Sequence, residues 1–289
     1  SVIWCGGCST RYMQELDAAP ELGYIDAMKY IFSTGGGVQS TACLVLAAQG
    51  KIPYRTFIFS NVGDKAESPA TIQYIKEIAK PYAKKHGIDW IEVAKVNRKG
   101  EAVDLYDDCM NNVKSISIPL HYKDGGLGFR NCTSKWKIQP IAKWIKHNAP
   151  GCVLGVGIST DEPQRAKPAR DSDGYSKAYP LIELGIDRSM CLKIVKQEGL
   201  PQPPKSSCWF CPYHTAEAWT HRKRESPELF KRAVELERRL CERSVEMGKD
   251  PGFLSRHGRS LSECIPDQLG LFPEWLDEQD GCESGYCMT

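Results

Sequence analysis

The sequence predicts an α/β protein: a Rossmann-like open parallel sheet with a helical C-terminal region. Three observations carry this expectation. Residues 29–60 read as strand, glycine loop, helix and strand, in "KYIF", "STGGG", "VQSTACLVLAAQG" and "RTFIF". Strand and helix patterns then alternate as far as about residue 170, the order of a parallel βαβ sheet. The run "CVLGVGI" at 152–158 is apolar throughout, as suits a strand buried on both faces.

The elements follow in chain order. Gly50 suits the C-terminus of the first helix. Residues 69–86 open on proline, as a first helical turn can, with Ile72, Ile75, Ile78 and Ala79 on one face. Pro81 is expected to kink or divide this helix, because its ring clashes with the preceding turn. "DWIEV" reads as a third strand, and residues 134–146 as a helix with Trp136, Ile141, Ala142 and Ile145 as apolar members. "GLPQPPKSS" is a stiff connection. Beyond it, Ser226 and Pro227 start a helix whose Leu229, Ala233, Leu236 and Leu240 form one stripe. Three regions are expected: an extension over 1–28, a nucleotide-binding α/β domain over 29–200, and a cysteine-pair and helical region over 201–289.

Composition sets bounds. The chain has 289 residues, with 38 basic against 36 acidic and a net charge of +2, so a globally basic nucleic-acid binder is not indicated. No run approaches the roughly 18 apolar residues of a membrane span, and no secretory signal is evident, so a cytoplasmic protein is expected. Thirteen cysteines are the anomaly. In a reducing compartment clustered cysteines more often bind metal than pair. Cys43, Cys152 and Cys241 sit inside apolar runs and read as small buried hydrophobes.

A strand that ends in glycines and opens into a helix is a phosphate-binding geometry, since backbone amides and the helix N-terminus face the anion. The loop has neither the Lys-Ser/Thr ending of a Walker A motif nor the spacing of a dinucleotide fingerprint. Ser33, Ser40 and Thr41 are placed to add hydroxyl contacts.

"STGGGVQST" resembles the pyrophosphatase loop (PP-loop) of the adenine-nucleotide α-hydrolase superfamily, in its phosphoadenylyl-sulfate reductase-like branch. Gly35 stands at that loop's serine place and Gln39 at its aspartate place. The resemblance implies ATP bound by Ser33, Gly35, Gly36, Gly37, Gln39, Ser40 and Thr41. "FSNVGDKAESPAT" resembles the segment lining the adenosine pocket, with Asp64 as its acidic member. "GISTDEPQRAK" resembles a second phosphate-side motif, which implies Asp161 and Glu162 on Mg²⁺ and Arg165 on the departing pyrophosphate. "RNCTSKWKIQPI" resembles the reductase segment Cys-Cys-x-x-Arg-Lys-Val-x-Pro-Leu, with Thr133 at the second cysteine place. "SSCWFCPYH" supplies a later Cys-x-x-Cys pair. Cys132, Cys208 and Cys211 are then expected on a [4Fe–4S] cluster, with Cys191 as fourth ligand and Cys109 as the fallback; zinc would accept the same thiolates. Cys5, Cys8, Cys282 and Cys287 form terminal pairs outside the resemblance, with a shared Zn²⁺ site, redox-active tails or disulfides as the readings. His214 and His221, flanking Trp219, are expected as surface histidines rather than metal ligands.

The resemblance covers residues 29 to about 220. It implies an ATP pyrophosphatase in sulfur transfer to nucleic acid, closest in form to DNA phosphorothioation proteins, with a cysteine desulfurase or another sulfur donor as partner. DNA is preferred to RNA as acceptor, and a homodimer is left open. The alternatives are sulfonucleotide reduction, tRNA thiolation and a non-catalytic nucleotide-binding subunit. The reductase reading needs a C-terminal Glu-Cys-Gly-(Leu/Ile)-His tail, which "GCESGYCMT" does not match. Lys135, Lys137, Lys143, Lys146, Arg222, Lys223 and Arg224 are the groups expected to receive a phosphate backbone.

Overall fold

The computed structural model describes residues 29–170 and 173–265. Its centre is a five-stranded sheet in the order β3-β2-β1-β4-β5, from β1 (Tyr30–Thr34), β2 (Thr56–Asn61), β3 (Asp89–Ala94), β4 (Val153–Val156) and β5 (Ser176–Ala178). All four pairings are parallel; Ile31 stands opposite Thr56 on one side and Leu154 on the other. The short β5 edge strand has no sequence signal of its own.

Alternate side chains of each strand serve opposite faces. Phe32 and Phe57 join α1 (Val38–Ala48) in one apolar cluster, and Ile31, Ile58 and Leu154 join Ile141 and Ile145 in another. Gly155 lies where a β-carbon would sit 2.5 Å from the Tyr54 ring and 2.8 Å from Phe32, so the strand carries no side chain there.

The helix expected over 69–86 does not break at Pro81. It runs as α2 (Pro69–Tyr74), a π-helical stretch (Ile75–Ala79) and α3 (Lys80–Lys85). A second π-helical stretch, Thr133–Ile138, precedes Pro140 at the start of α5 (Gln139–Asn148). Each wide turn lies just where a proline ring would strike the carbonyl four residues back, so local widening replaces a kink. Between the two lies α4 (Leu105–Asn111), capped by Asp104, whose Oδ1 accepts from the Tyr106 N–H at 2.8 Å.

Beyond β4 come α6 (Pro180–Glu183), α7 (Arg188–Gln197), α8 (Ala216–Glu225), α9 (Pro227–Glu246) and α10 (Leu261–Cys264). Helix α7 packs on α1, and α9 packs on α8 and α4. The last third of the described chain shares a core with earlier segments: Trp209, Phe210, Trp219, Leu236 and Leu254 pack with Val62, Leu105 and Trp136. Among the described residues no helix is long and apolar enough to cross a membrane.

One buried acid fastens this second core. Glu237 on α9 is 3 % exposed and accepts from the backbone N–H of Leu254 at 2.7 Å and of Leu261 at 2.6 Å. Burial outweighs these bonds and pushes its carboxyl up from 4.5 to about 7. The folded state therefore holds this proton at pH values where the unfolded chain has released it, so stability falls as pH rises through that window. Relative to Glu237→Gln, which cannot titrate, the wild type should lose up to about 1.4 kcal/mol per pH unit between pH 4.5 and 7. Denaturant melts of both proteins across pH 4–9 check this; parallel curves would contradict it.

Candidate functional site

Strand β1 has β2 on one side and β4 on the other, so the chain reverses direction across the sheet between β1 and β4. In open α/β sheets ligands bind outside the carboxyl ends of the strands at that point. Here the two flanking loops are the glycine loop after β1 and residues 157–165 after β4. They enclose an open cleft of about 550 Å³, lined by Ser33, Gly35, Gly37, Gln39 and Ser40, with Gly157, Arg165, Arg188, Lys205 and Ser206 opposite.

Gly36 and Gly37 have different duties. Gly36 has φ +74°, and a β-carbon there would stand 2.8 Å from Ile75 Cδ1. The demand for glycine at this position comes from the protein's own packing. Gly37 has an ordinary φ of −96°, and its β-carbon would meet Ser206 Cβ at 3.4 Å, across the cleft. Gly37 is therefore the glycine that keeps the cleft open. It is also the N-cap of α1, whose first internal bond runs from Thr41 N–H to the Gly37 carbonyl at 2.9 Å. The N–H groups of Val38, Gln39 and Ser40 thus have no acceptor within the helix, the usual state of a first turn.

The hydroxyls divide. Ser33 lines the cleft. Ser40 also lines it, but its Oγ accepts from Gly37 N–H at 3.1 Å and donates to the Gly37 carbonyl at 3.0 Å, bracing the loop. Thr41 is buried and does not line the cleft. Gln39 accepts from Arg188 Nη1 at 3.3 Å.

The three cleft cations face no carboxylate among the lining residues. Arg165 is buried and bonded to the buried Glu162, which fixes its guanidinium. Asp161 is exposed and accepts from the Arg188 backbone N–H at 3.0 Å, so it seats the start of α7. Neither Asp161 nor Glu162 lines the cleft, and the lining offers cationic, amide and hydroxyl groups but no carboxylate. The expected carboxylate-held Mg²⁺ does not fit this lining. Asp64 is exposed and accepts from Asn61 Nδ2 at 2.9 Å. Its loop is pinned by Asp104, whose Oδ2 accepts from Lys65 N–H at 2.8 Å.

The cysteines sort by core. Cys208 and Cys109 belong to the second apolar cluster, and Cys132 and Cys211 pack against it. Cys191 does not join them. It lies in the core beside α1, near enough to Cys43 to push that thiol's pKa up further. Helix α7 turns this cysteine toward α1 to complete an apolar stripe, and sequence spacing gave no sign of that. Cys109 is completely buried, and its thiol is pushed well up by burial first, then by Asp108 and Cys132. Among the described residues no three His, Cys, Asp or Glu side chains stand close enough to hold a metal ion as they are. The terminal pairs Cys5/Cys8 and Cys282/Cys287 lie outside the described residues.

Glu67, which the sequence did not single out, joins these motifs. It is fully buried in the loop after β2 and forms an antiparallel bridge with Cys208. Ser68 N–H donates to the Ser207 carbonyl at 3.2 Å, and Trp209 N–H to the Ala66 carbonyl at 3.2 Å. The Glu67 carboxylate stands 3.7 Å from Lys137 Nζ, itself 6 % exposed, five residues after Cys132. His214 is another departure: it is buried, not on the surface. Burial, then the Arg222 charge, push it down to about 3, and its Nε2 lies 3.1 Å from the Cys208 carbonyl. His221 is exposed, as expected. Of the cations expected on a phosphate backbone, Lys135, Lys143, Lys146 and Arg224 are exposed, while Lys137, Arg222 and Lys223 turn into the protein.

Fold and cleft together define an open-sheet α/β protein with a cleft lined by Arg165, Arg188 and Lys205 at its switch point. No family model matches the chain, and no curated protein does. Among solved structures it is similar to phosphoadenylyl-sulfate (PAPS) reductase from Candida auris in a phosphate complex, with 12 % identity, 70 % of this chain and 91 % of that chain covered, and a TM-score of 0.43. It is also similar to the U34-tRNA thiolase NcsA from Methanococcus maripaludis with its [4Fe–4S] cluster, with 17 % identity, 81 % of this chain and 80 % of that chain covered, and a TM-score of 0.45.

Proposed function

We propose that the chain binds ATP at the glycine cleft and acts as an ATP pyrophosphatase in sulfur transfer to nucleic acid, with the DNA phosphodiester as acceptor. One observation carries the reading: a cleft at the switch point, opened by Gly37, is lined by Arg165, Arg188 and Lys205, with no carboxylate among its lining residues. Such a lining suits a polyphosphate, whose leaving pyrophosphate gains charge as the α-phosphorus is attacked. Arg165, held by Glu162, is placed to stabilise that charge. Gln39 and Arg188 close the cleft's far side. Cys132, Cys208 and Cys211, with Cys109 in place of Cys191, supply a four-thiol donor set within one apolar region. These four would hold the [4Fe–4S] cluster, which would supply a site for the sulfur that a cysteine desulfurase delivers.

Anaerobically prepared protein, given ATP and nucleic acid, should release pyrophosphate. Mass spectrometry of nuclease-digested nucleic acids from cells with and without the gene then assigns the acceptor. Loss of phosphorothioate-linked dinucleotides supports DNA. Loss of a thiolated tRNA base redirects the reading to RNA. Sulfite release from phosphoadenylyl sulfate without pyrophosphate release hands it to sulfonucleotide reduction. For the cysteines, Cys109→Ser should lose most of the iron while Cys191→Ser keeps it. The opposite pattern would restore Cys191 as ligand.

A further inference from the structure

A second cavity, of about 630 Å³, opens beside the first at the ends of β4 and β5. Its floor is apolar: Ile141, Leu154, Val156 and Ile158. Its cations are Lys137, Arg165, Lys167 and Lys177, and its lining residues include no acid. Tyr175 and Tyr179 stand at its edge, and the Tyr179 hydroxyl is bonded to the backbone of Lys167, which holds that loop over the cavity. The cavity shares Ser33 and Arg165 with the glycine cleft.

The two cavities are chemically unlike. The glycine cleft is lined mostly by backbone, hydroxyls and cations, with Val38 and Pro204 as its apolar members. The second cavity joins a broad apolar floor to Lys167 and Lys177, with Arg165 and Lys137 held by the buried acids Glu162 and Glu67, which fits a flat ring system carrying phosphate. We infer that this second cavity is the acceptor site, taking one nucleotide unit of a phosphodiester strand with its base on the Ile141–Leu154–Ile158 floor and its phosphate among Lys167, Lys177 and Arg165.

The sharing of Ser33 and Arg165 gives this arrangement a consequence. A ligand in each cavity meets at these two residues. An unesterified phosphodiester oxygen of a strand in the second cavity would then attack the α-phosphorus of ATP where the two cavities share Ser33 and Arg165. Its attack forms the new P–O bond while the bond to the β-phosphate breaks, and pyrophosphate departs with the electron pair into the cleft. The inference rests on the ATP reading above, and its test separates the two.

The probe is a dinucleoside monophosphate, thymidylyl-thymidine, titrated calorimetrically into protein saturated with α,β-methylene-ATP. It should bind without displacing the nucleotide. Lys167→Glu with Lys177→Glu, an exposed and a half-buried position, should weaken the dinucleotide by more than about tenfold and leave the ATP analogue unchanged. Competition between dinucleotide and analogue overturns the inference, as does equal weakening of both ligands or the absence of dinucleotide binding. A Gly37→Val variant tests the ATP reading separately. It should lose the analogue while still binding the dinucleotide; retained ATP affinity would sink the ATP reading and leave the second site standing.

Discussion

Gly37→Val should abolish nucleotide binding, by more than about 100-fold, in a protein that still folds. The backbone at Gly37 is extended, at φ −96° and ψ −177°, which valine adopts without strain. Its new methyls would project toward Ser206 across the cleft, into the space a phosphate must fill. Gly36→Val should fail differently. At φ +74° an L side chain costs about 1–2 kcal/mol, and overlap with Ile75 at 2.8 Å adds a packing cost of about 1–3 kcal/mol. That variant should lose stability first, and its binding loss would follow from a displaced loop. Calorimetric ATP titration beside denaturant melts separates the two. If Gly37→Val binds ATP normally, the cleft is not the nucleotide site. If Gly36→Val melts like the wild type, the assignment of its glycine to internal packing is wrong.

That division was invisible in the sequence, although the loop was not. "STGGGVQST" reads as strand, loop and helix because its signals are local: an apolar run, glycines and a helix N-terminus within nine residues. Which glycine answers to a ligand and which to Ile75 depends on a contact between residues thirty-nine positions apart. The same limit explains the cysteines. "CWFC" announces a tight turn, but the choice between Cys109 and Cys191 turns on which core each helix faces. Both lie in short helices with buried faces, so spacing cannot separate them. The proline-bearing helices were legible as helices, whereas the π-helical turns that absorb Pro81 and Pro140 were not, because proline signals a break and packing decides how it is avoided. His214 misled for the opposite reason: a polar residue in a polar context reads as surface, and only its approach to the Cys208 carbonyl shows its work.

Lys137→Met should cost about 3–5 kcal/mol, because it strands the Glu67 carboxylate inside the protein, and Glu67→Gln should cost less. Glu67 is fully buried, so water cannot take over the lost ammonium's role. Glu67→Gln removes one partner of the Lys137 ammonium, and Lys137→Met leaves the buried carboxylate without the ammonium 3.7 Å away. The double variant Glu67→Leu, Lys137→Met removes both charges, and its loss should fall well short of the sum of the singles. The pair joins the helix after Cys132 to the loop bridged by Cys208, at 3.7 Å across the gap. If the cysteines hold iron together, iron content should fall in each single variant and recover with stability in the double. Additive losses in the double-mutant cycle would show that the two charges are not coupled. Iron content indifferent to all three variants would show that this pair does not set the geometry of the cysteine centre.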